Sequence, residues 1–111
     1  AMNYEENPWE HHIPTECRDP DAFAVVLEGD SMEPRFEERD MLIIQPGEEA
    51  YSGCLAVAKF SDGGVIFRRI EIELDTVRLI PSNVRYQITT HSKSDFEWIY
   101  PVWGRWTQIW K

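Results

Sequence analysis

An all-β domain is the fold class that this sequence predicts. Short apolar runs rich in β-branched residues recur along the chain, and turn signals separate them every 8 to 12 residues, roughly. The 111 residues are the length of one ordinary domain, and 42% hydrophobic residues suffice for a buried core. These observations exclude a chain disordered throughout and favour a barrel or a sandwich-like sheet.

Each predicted strand ends at a recognisable turn or break. In chain order the strands are 23–27, 41–45, 53–60, 65–74, 76–81, 86–91 and 98–110. Between the first two, Pro34 restricts segment 31–40 to one helical or 3₁₀ turn at most. Residues 1–21 contain three prolines and no sustained period, so we expect an extended N-terminal arm, with Ala1 interpreted as a tag remnant.

The glycine-rich turn at 61–64 predicts a β-hairpin. A four-residue turn pairs Phe60 with Val65. In that register Lys59 and Arg68 are diagonal neighbours on the same face of the hairpin, since alternate residues of a strand share a face.

Charge and composition exclude several classes of function. The formal net charge is −9, and such a surface repels the phosphates that DNA-binding proteins neutralise. No apolar run approaches the ~18 residues of a membrane span. Cys17 and Cys54 are too few for a disulfide scaffold and are typical of reduced cytoplasmic thiols. His11, His12 and His91 lack the spacing of metal ligands, so neither a metal nor a cofactor is predicted.

The last predicted strand is rich in tryptophan. Trp98, Trp106 and Trp110 have even spacings, which puts them on one strand face, and Trp103 lies between them. Core packing and a dimer interface both remain open for this cluster. Pro101 cannot donate to a central ladder, so we expect this strand at a sheet edge or at a bulge.

Four blocks in a fixed order carry more specific information. They are GDSMEP at 29–34, DMLII at 40–44, GCLAVA at 53–58 and IFRRI at 66–70, and PSN follows at 81–83. Over residues 22–111 this string resembles the C-terminal domain of LexA-type repressors, a family that includes phage lambda-type repressors and UmuD. The resemblance implies a LexA-like fold of twisted β-hairpins forming a partly open barrel.

The resemblance also implies a catalytic site. Members of the family cleave a peptide bond of their own chain with a serine nucleophile, whose proton passes to a buried neutral lysine. Ser31 stands at the nucleophile position, with Gly29, Asp30 and Met32 as its neighbours. The usual Ala-Gly cleavage site does not occur in this chain.

One residue departs from the family pattern. Arg68 occupies the lysine position, and a guanidinium, unlike an ammonium, stays protonated near neutral pH. Arg68 is therefore expected to be a poor general base. Lys59 is the candidate substitute base, on condition that the predicted hairpin register is correct.

Together these patterns favour the C-terminal regulatory and dimerisation domain of a prophage-type or LexA-like transcriptional repressor with a degenerate cleavage site. The resemblance implies a homodimer formed through the C-terminal strands, and operator DNA bound by a separate N-terminal helix-turn-helix domain. Two alternatives remain open at this point. One is an active self-cleaving peptidase of the SOS response, stimulated by a recombinase filament. The other is a UmuD-like accessory subunit of a polymerase.

Overall fold

The computed structural model describes residues 2–3 and 17–106, which form antiparallel β-strands joined by turns. The strands are β1 (Met2–Asn3), β2 (Phe23–Leu27), β3 (Met41–Ile44), β4 (Leu55–Phe60), β5 (Val65–Glu73), β6 (Thr76–Ile80), β7 (Thr89–Ser92) and β8 (Phe96–Trp106). A 3₁₀ turn, Lys93–Asp95, precedes β8. The predicted all-β class is confirmed.

The strands form one sheet in the order β1-β2-β3-β8-β4-β5-β6-β7, and every neighbouring pair is antiparallel. Among the described residues β1 and β7 are the two edges and do not pair with each other, so the sheet remains open. The eleven-residue β8 pairs with β4 through its first half and with β3 through its second half. It therefore joins the two parts of the sheet.

The largest core cluster combines side chains from β2, β3, β4 and β5 with two residues of the turn after β2. Phe67 is fully buried at its centre, and its ring meets Phe36 edge-to-face with centroids 4.9 Å apart. The other buried members are Phe23, Val25, Leu27, Met32, Leu42, Ile44, Val57 and Val65. A second cluster, which includes Ile70 and Val77, packs on the opposite face of β5 and β6.

The hairpin between β4 and β5 differs from the prediction by one residue. Lys59 pairs with Val65, and Ala56 pairs with Arg68. The reason is the turn, because Gly63 takes a positive φ of 104° and shortens the loop from four residues to three. A shift of one residue reverses the faces, so Lys59 and Arg68 lie on opposite sides of the hairpin.

The expected edge position of the strand that contains Pro101 is also wrong. β8 lies in the interior of the sheet, between β3 and β4. Pro101 is the last β8 residue to pair with β4, opposite Ala56, and Val102 opens the pairing with Ile44 of β3. A register shift follows at once, and the Pro101 carbonyl accepts from the Gln45 amide at 3.1 Å. Pro101 has no backbone N–H, and this missing donor lies where β8 passes from pairing with β4 to pairing with β3. The register shift there is the expected bulge.

Other boundaries also differ from the prediction: β3, β5 and β6 each end one residue early, β4 begins at Leu55 and β8 begins at Phe96. β7 begins at Thr89 instead of residue 86, because the Asn83 side chain and carbonyl accept the amides of Arg85 and Tyr86 and form a turn. Met2 and Asn3 pair with β2, so the N-terminal arm contributes a short edge strand. The remaining arm residues up to 16, with His11 and His12, lie outside the described residues.

The tryptophans divide between core and surface. Trp98 packs against the main core, stacks on Tyr100 with centroids 4.5 Å apart and meets Phe23 edge-on. Trp103 is 39% exposed. The Trp106 side chain and Trp110 lie outside the described part of the chain.

We expect Phe67→Ala to destabilise the domain by about 3–5 kcal/mol, because it opens a cavity at the centre of the main core. The free energy of unfolding from urea titration measures this loss. Val84→Ala is the matched control. Its side chain is 96% exposed, so we expect a change within about 0.5 kcal/mol. Equal effects of the two substitutions would contradict the assignment of Phe67 to the core.

Candidate active site

The serine turn, residues 29–36, follows directly after β2. Gly29 has a φ of 88°, a conformation that glycine adopts without strain, and it directs the chain away from the strand. The turn closes through two backbone hydrogen bonds, from Glu33 to Asp30 at 3.1 Å and from Phe36 to Met32 at 2.9 Å. As predicted, Pro34 lies in a turn and not in a helix; the peptide bond before it is cis.

Ser31 is 5% exposed, and its neighbour Met32 is 1% exposed within the main core. The buried Met32 side chain anchors the turn, since moving it would open a cavity. Within residues 17–106 no hydrogen bond of the Ser31 hydroxyl occurs.

The residues that follow the serine turn, 37–40, are hydrogen-bonded to β2 and β8. The Leu27 amide donates to the Asp40 carbonyl at 2.8 Å, and the Arg39 amide donates back to Leu27 at 2.8 Å. Asp40 is 3% exposed. Its carboxylate accepts hydrogen bonds from the Glu37 amide and from Arg105 of β8. These bonds fix the loop that carries Ser31 to the rest of the sheet.

A second segment, residues 81–86 after β6, packs against the serine turn. The Asn83 amide donates to the Ser31 carbonyl at 2.9 Å, and the Asn83 side-chain amide donates to the Asp30 carbonyl at 2.9 Å. Asn83 belongs to the PSN motif, but the motif alone does not indicate this contact. The two bonds hold the backbone of Asp30 and Ser31 against this segment.

The Asp30 side chain binds two residues of the same segment. The Tyr86 hydroxyl donates to one carboxylate oxygen, and Arg85 lies 3.4 Å from the other. The hydrogen bond to Asp30 and the negative charge of that carboxylate raise the pKa of the Tyr86 phenol. Sequence reasoning missed Asn83, Arg85 and Tyr86, since Tyr86 is predicted there as the start of a strand.

Arg68 is partly buried on β5. Its Nη1 donates to the carbonyl of Phe67 at 2.8 Å, and within residues 17–106 no other hydrogen bond or ion pair of Arg68 occurs. Burial lowers the pKa of the guanidinium, and the charge of the nearby Tyr86 opposes that shift. The ordinary pKa of a guanidinium lies so far above 7 that the group stays protonated at neutral pH. Arg68 therefore places a fixed positive charge beside segment 81–86.

Lys59 does not join this group. The corrected register puts it on the face of the hairpin opposite to Arg68, and its Nζ lies 3.6 Å from the Glu97 carboxylate. This geometry removes the argument that made Lys59 a substitute base.

The other reactive side chains lie apart from the serine turn. Cys17 and Cys54 are buried and unbonded to each other, and burial raises the pKa of the Cys54 thiol. His91 packs against Phe60 and Phe96. Among the described residues, no group of three or more potential ligands is arranged to hold a metal ion. No helix in this part of the chain is long and apolar enough to cross a membrane.

Comparison with known families gives one match. A family model described as Peptidase S24-like covers residues 2–105, which include every described strand up to β8 and both segments of the site. No curated protein matches the chain.

We expect Tyr86 to titrate above its ordinary pKa near 10, and Asp30→Asn to lower that pKa, because the substitution weakens the hydrogen bond to the phenol and removes the carboxylate charge. Since the folded pKa is raised, the stabilising contribution of the Tyr86–Asp30 bond is fully present below about pH 10. It is lost as the pH rises through the folded pKa. The difference in phenolate absorbance between the parent chain and Tyr86→Phe isolates this titration. A Tyr86 titration that Asp30→Asn leaves unchanged would contradict the bond.

Proposed function

The chain belongs to the Peptidase S24-like family, and on that premise we propose that it is the regulatory and dimerisation domain of a LexA-like transcriptional repressor. In this proposal Ser31 occupies the nucleophile position of a self-cleavage site that has lost its base. The observation that carries the proposal is the state of Arg68. Its guanidinium is partly buried, is hydrogen-bonded to the Phe67 carbonyl and makes no hydrogen bond to Ser31 in the described chain.

The chemistry of the nucleophile supports the loss of cleavage. A serine hydroxyl attacks a peptide carbonyl efficiently only when a neighbouring base accepts its proton. Burial makes a lysine neutral at moderate pH, whereas the same burial leaves a guanidinium charged. The Ser31 turn nevertheless keeps its shape, because Met32, Asn83 and the bonds around Asp40 hold it. The proposal accounts for a well-anchored Ser31 turn in a chain that has Arg68 at the family's lysine position.

The negative charge of the domain supports a role in which it does not itself contact DNA. A domain with a formal net charge of −9 is repelled by the phosphate backbone, so operator contacts are assigned to a separate helix-turn-helix domain. Dimerisation through this domain would raise operator affinity, because the second DNA-binding unit is then held at high effective concentration. Such a repressor acts in the cytoplasm.

An active peptidase is the second candidate, and one observation favours it. The Ser31 hydroxyl is unoccupied by any hydrogen bond within residues 17–106, as a nucleophile awaiting its substrate would be. In that case self-cleavage would relieve repression, with a recombinase filament as the stimulating partner. The two candidates differ in one measurable property, which is cleavage at neutral pH.

We expect the complete gene product to stay intact at neutral pH, and Arg68→Lys to accelerate release of an N-terminal fragment by about 10²- to 10⁴-fold, the usual contribution of a general base. Intact-mass analysis over time measures the fragment, with and without the recombinase filament. Adding Ser31→Ala to Arg68→Lys is expected to abolish it.

Arg69→Lys is the matched control, since Arg69 is the adjacent residue and pairs with Glu71 at 3.6 Å. No fragment is expected from it. Release of a fragment from the unsubstituted protein, abolished by Ser31→Ala, would overturn the loss of cleavage and establish the second candidate.

For the dimer, we expect light scattering at tens of micromolar to give twice the 13.1 kDa mass of the chain. Trp103→Glu is expected to shift the species towards monomer, because Trp103 is an exposed aromatic residue on β8. Tyr51→Glu changes an exposed aromatic residue elsewhere and is expected to leave the mass unchanged. A species of 13.1 kDa alone would overturn dimerisation.

A further inference from the structure

An open recess of about 500 Å³ lies where the loop between β4 and β5 meets the 3₁₀ turn before β8. This hairpin recess is lined by Phe60, Ser61, Asp62, His91, Ser94 and Asp95. The Ser61 amide donates to the Asp95 carbonyl at 2.8 Å, and this bond joins the two walls. None of the lining residues belongs to the candidate active site, so the hairpin recess is a separate feature of the surface.

The hairpin recess and the serine turn lie at opposite ends of β6. Thr76, the first residue of β6, pairs with Ser92, which caps the 3₁₀ turn that forms one wall of the recess. Ile80, the last residue of β6, leads into segment 81–86, which binds the serine turn. A substitution in the hairpin recess is therefore expected to leave the bonds around Ser31 intact.

The apolar part of the hairpin recess is an aromatic group. The Phe60 ring stacks on Phe96 with centroids 4.7 Å apart, and the His91 ring meets Phe60 edge-on with centroids 5.1 Å apart. These contacts fix the Phe60 ring, and the half-buried Phe60 still lines the recess. The face of an aromatic ring carries partial negative charge and attracts a cation placed over it.

Two exposed carboxylates stand beside this ring, and backbone amides hold each of them. The Gly64 amide donates to Asp62 Oδ1 at 3.0 Å, and the Ser92 amide donates to Asp95 Oδ2 at 3.1 Å. Within residues 17–106 the second oxygen of each carboxylate makes no hydrogen bond, and neither carboxylate forms an ion pair. Because both side chains are already held, binding a ligand through the second oxygens costs little further conformational freedom.

The two lysines nearest in sequence do not neutralise these carboxylates. Lys59 Nζ lies 3.6 Å from the Glu97 carboxylate, and Lys93 forms no ion pair with Asp62 or Asp95 in the described chain. The combination of an aromatic face with two carboxylates suits an organic cation. A guanidinium suits it better than an ammonium, because its planar group can stack on a ring while its N–H fork donates to carboxylates.

We propose that the hairpin recess binds the guanidinium group of a ligand, with the Phe60 ring as the platform and the Asp62 and Asp95 carboxylates as acceptors. The arginine side chain of another protein and a free guanidino compound share this chemistry. The inference goes beyond the proposed function and does not rest on it, since neither dimerisation nor the chemistry of Ser31 enters the argument.

The test is a calorimetric titration of the complete chain, at constant ionic strength, with the peptide acetyl-Gly-Arg-Gly-amide and with the same peptide carrying citrulline instead of arginine. We expect the arginine peptide to bind about tenfold more tightly, because citrulline has the same shape without the charge. Asp62→Asn combined with Asp95→Asn is expected to abolish that preference, while the asparagine oxygens can still accept the amides of Gly64 and Ser92. Phe60→Leu is expected to weaken binding of the arginine peptide.

Glu48→Gln combined with Glu49→Gln is the matched control, because it removes two exposed carboxylates from the loop before β4, whereas the recess lies at the other end of that strand. It is expected to retain the preference for arginine. A chain with a formal net charge of −9 attracts any cation, so equal losses in the two double variants would assign binding to that general attraction and overturn the site. Equal affinity for the arginine and citrulline peptides, or no measurable binding of either, would also overturn it.

A parallel titration with agmatine, a free guanidino compound, distinguishes the two sources of the ligand. Binding of agmatine would assign the hairpin recess to free guanidino compounds, and binding of the arginine peptide alone would assign it to the arginine side chains of proteins; both support the proposal. Urea titration of each variant shows that a loss of binding does not arise from unfolding.

Discussion

Everything in this domain depends on β8 pairing with two strands at once. Its first half completes the sheet beside β4, and its second half completes the sheet beside β3. The main core needs both halves, since its buried side chains come from β2 and β3 on one part and from β4 and β5 on the other. β8 also reaches the site, because Arg105 donates to the Arg35 carbonyl at 2.6 Å and lies over the Phe36 ring.

These contacts make the site rigid, and the charges of Asp40, Asp30 and Arg68 set its electrostatics. Asp40 tolerates burial because backbone and arginine donors satisfy its carboxylate. Asp30 is likewise occupied, by Tyr86 and Arg85. Arg68 differs from both, because its charge has no carboxylate partner in the described chain. The chain has many more acidic than basic residues, so the positive charge of Arg68 is opposite in sign to the net charge of the domain.

Much of the fold could be predicted from sequence because strand periodicity and turn residues are local properties. β2 has the predicted bounds, β5 and β6 end one residue early, and the motif around Ser31 predicts the family. What could not be predicted depends on contacts between distant residues or on one backbone angle. The hairpin register depends on the φ of Gly63, and the network of Asn83 and Tyr86 joins residues more than fifty positions apart. No local pattern encodes such a pairing.

The position of β8 has a consequence for how the molecule forms. Of the described strands it is the last in chain order and one of the innermost in the sheet. As the polypeptide leaves the ribosome, the strand pairing that links β3 to β4 through β8 cannot form until some fifty further residues have emerged. Long-range pairing of this kind slows folding and leaves apolar strands uncovered in the meantime. The nascent domain is therefore expected to expose the apolar edges of β3 and β4 until β8 is inserted between them.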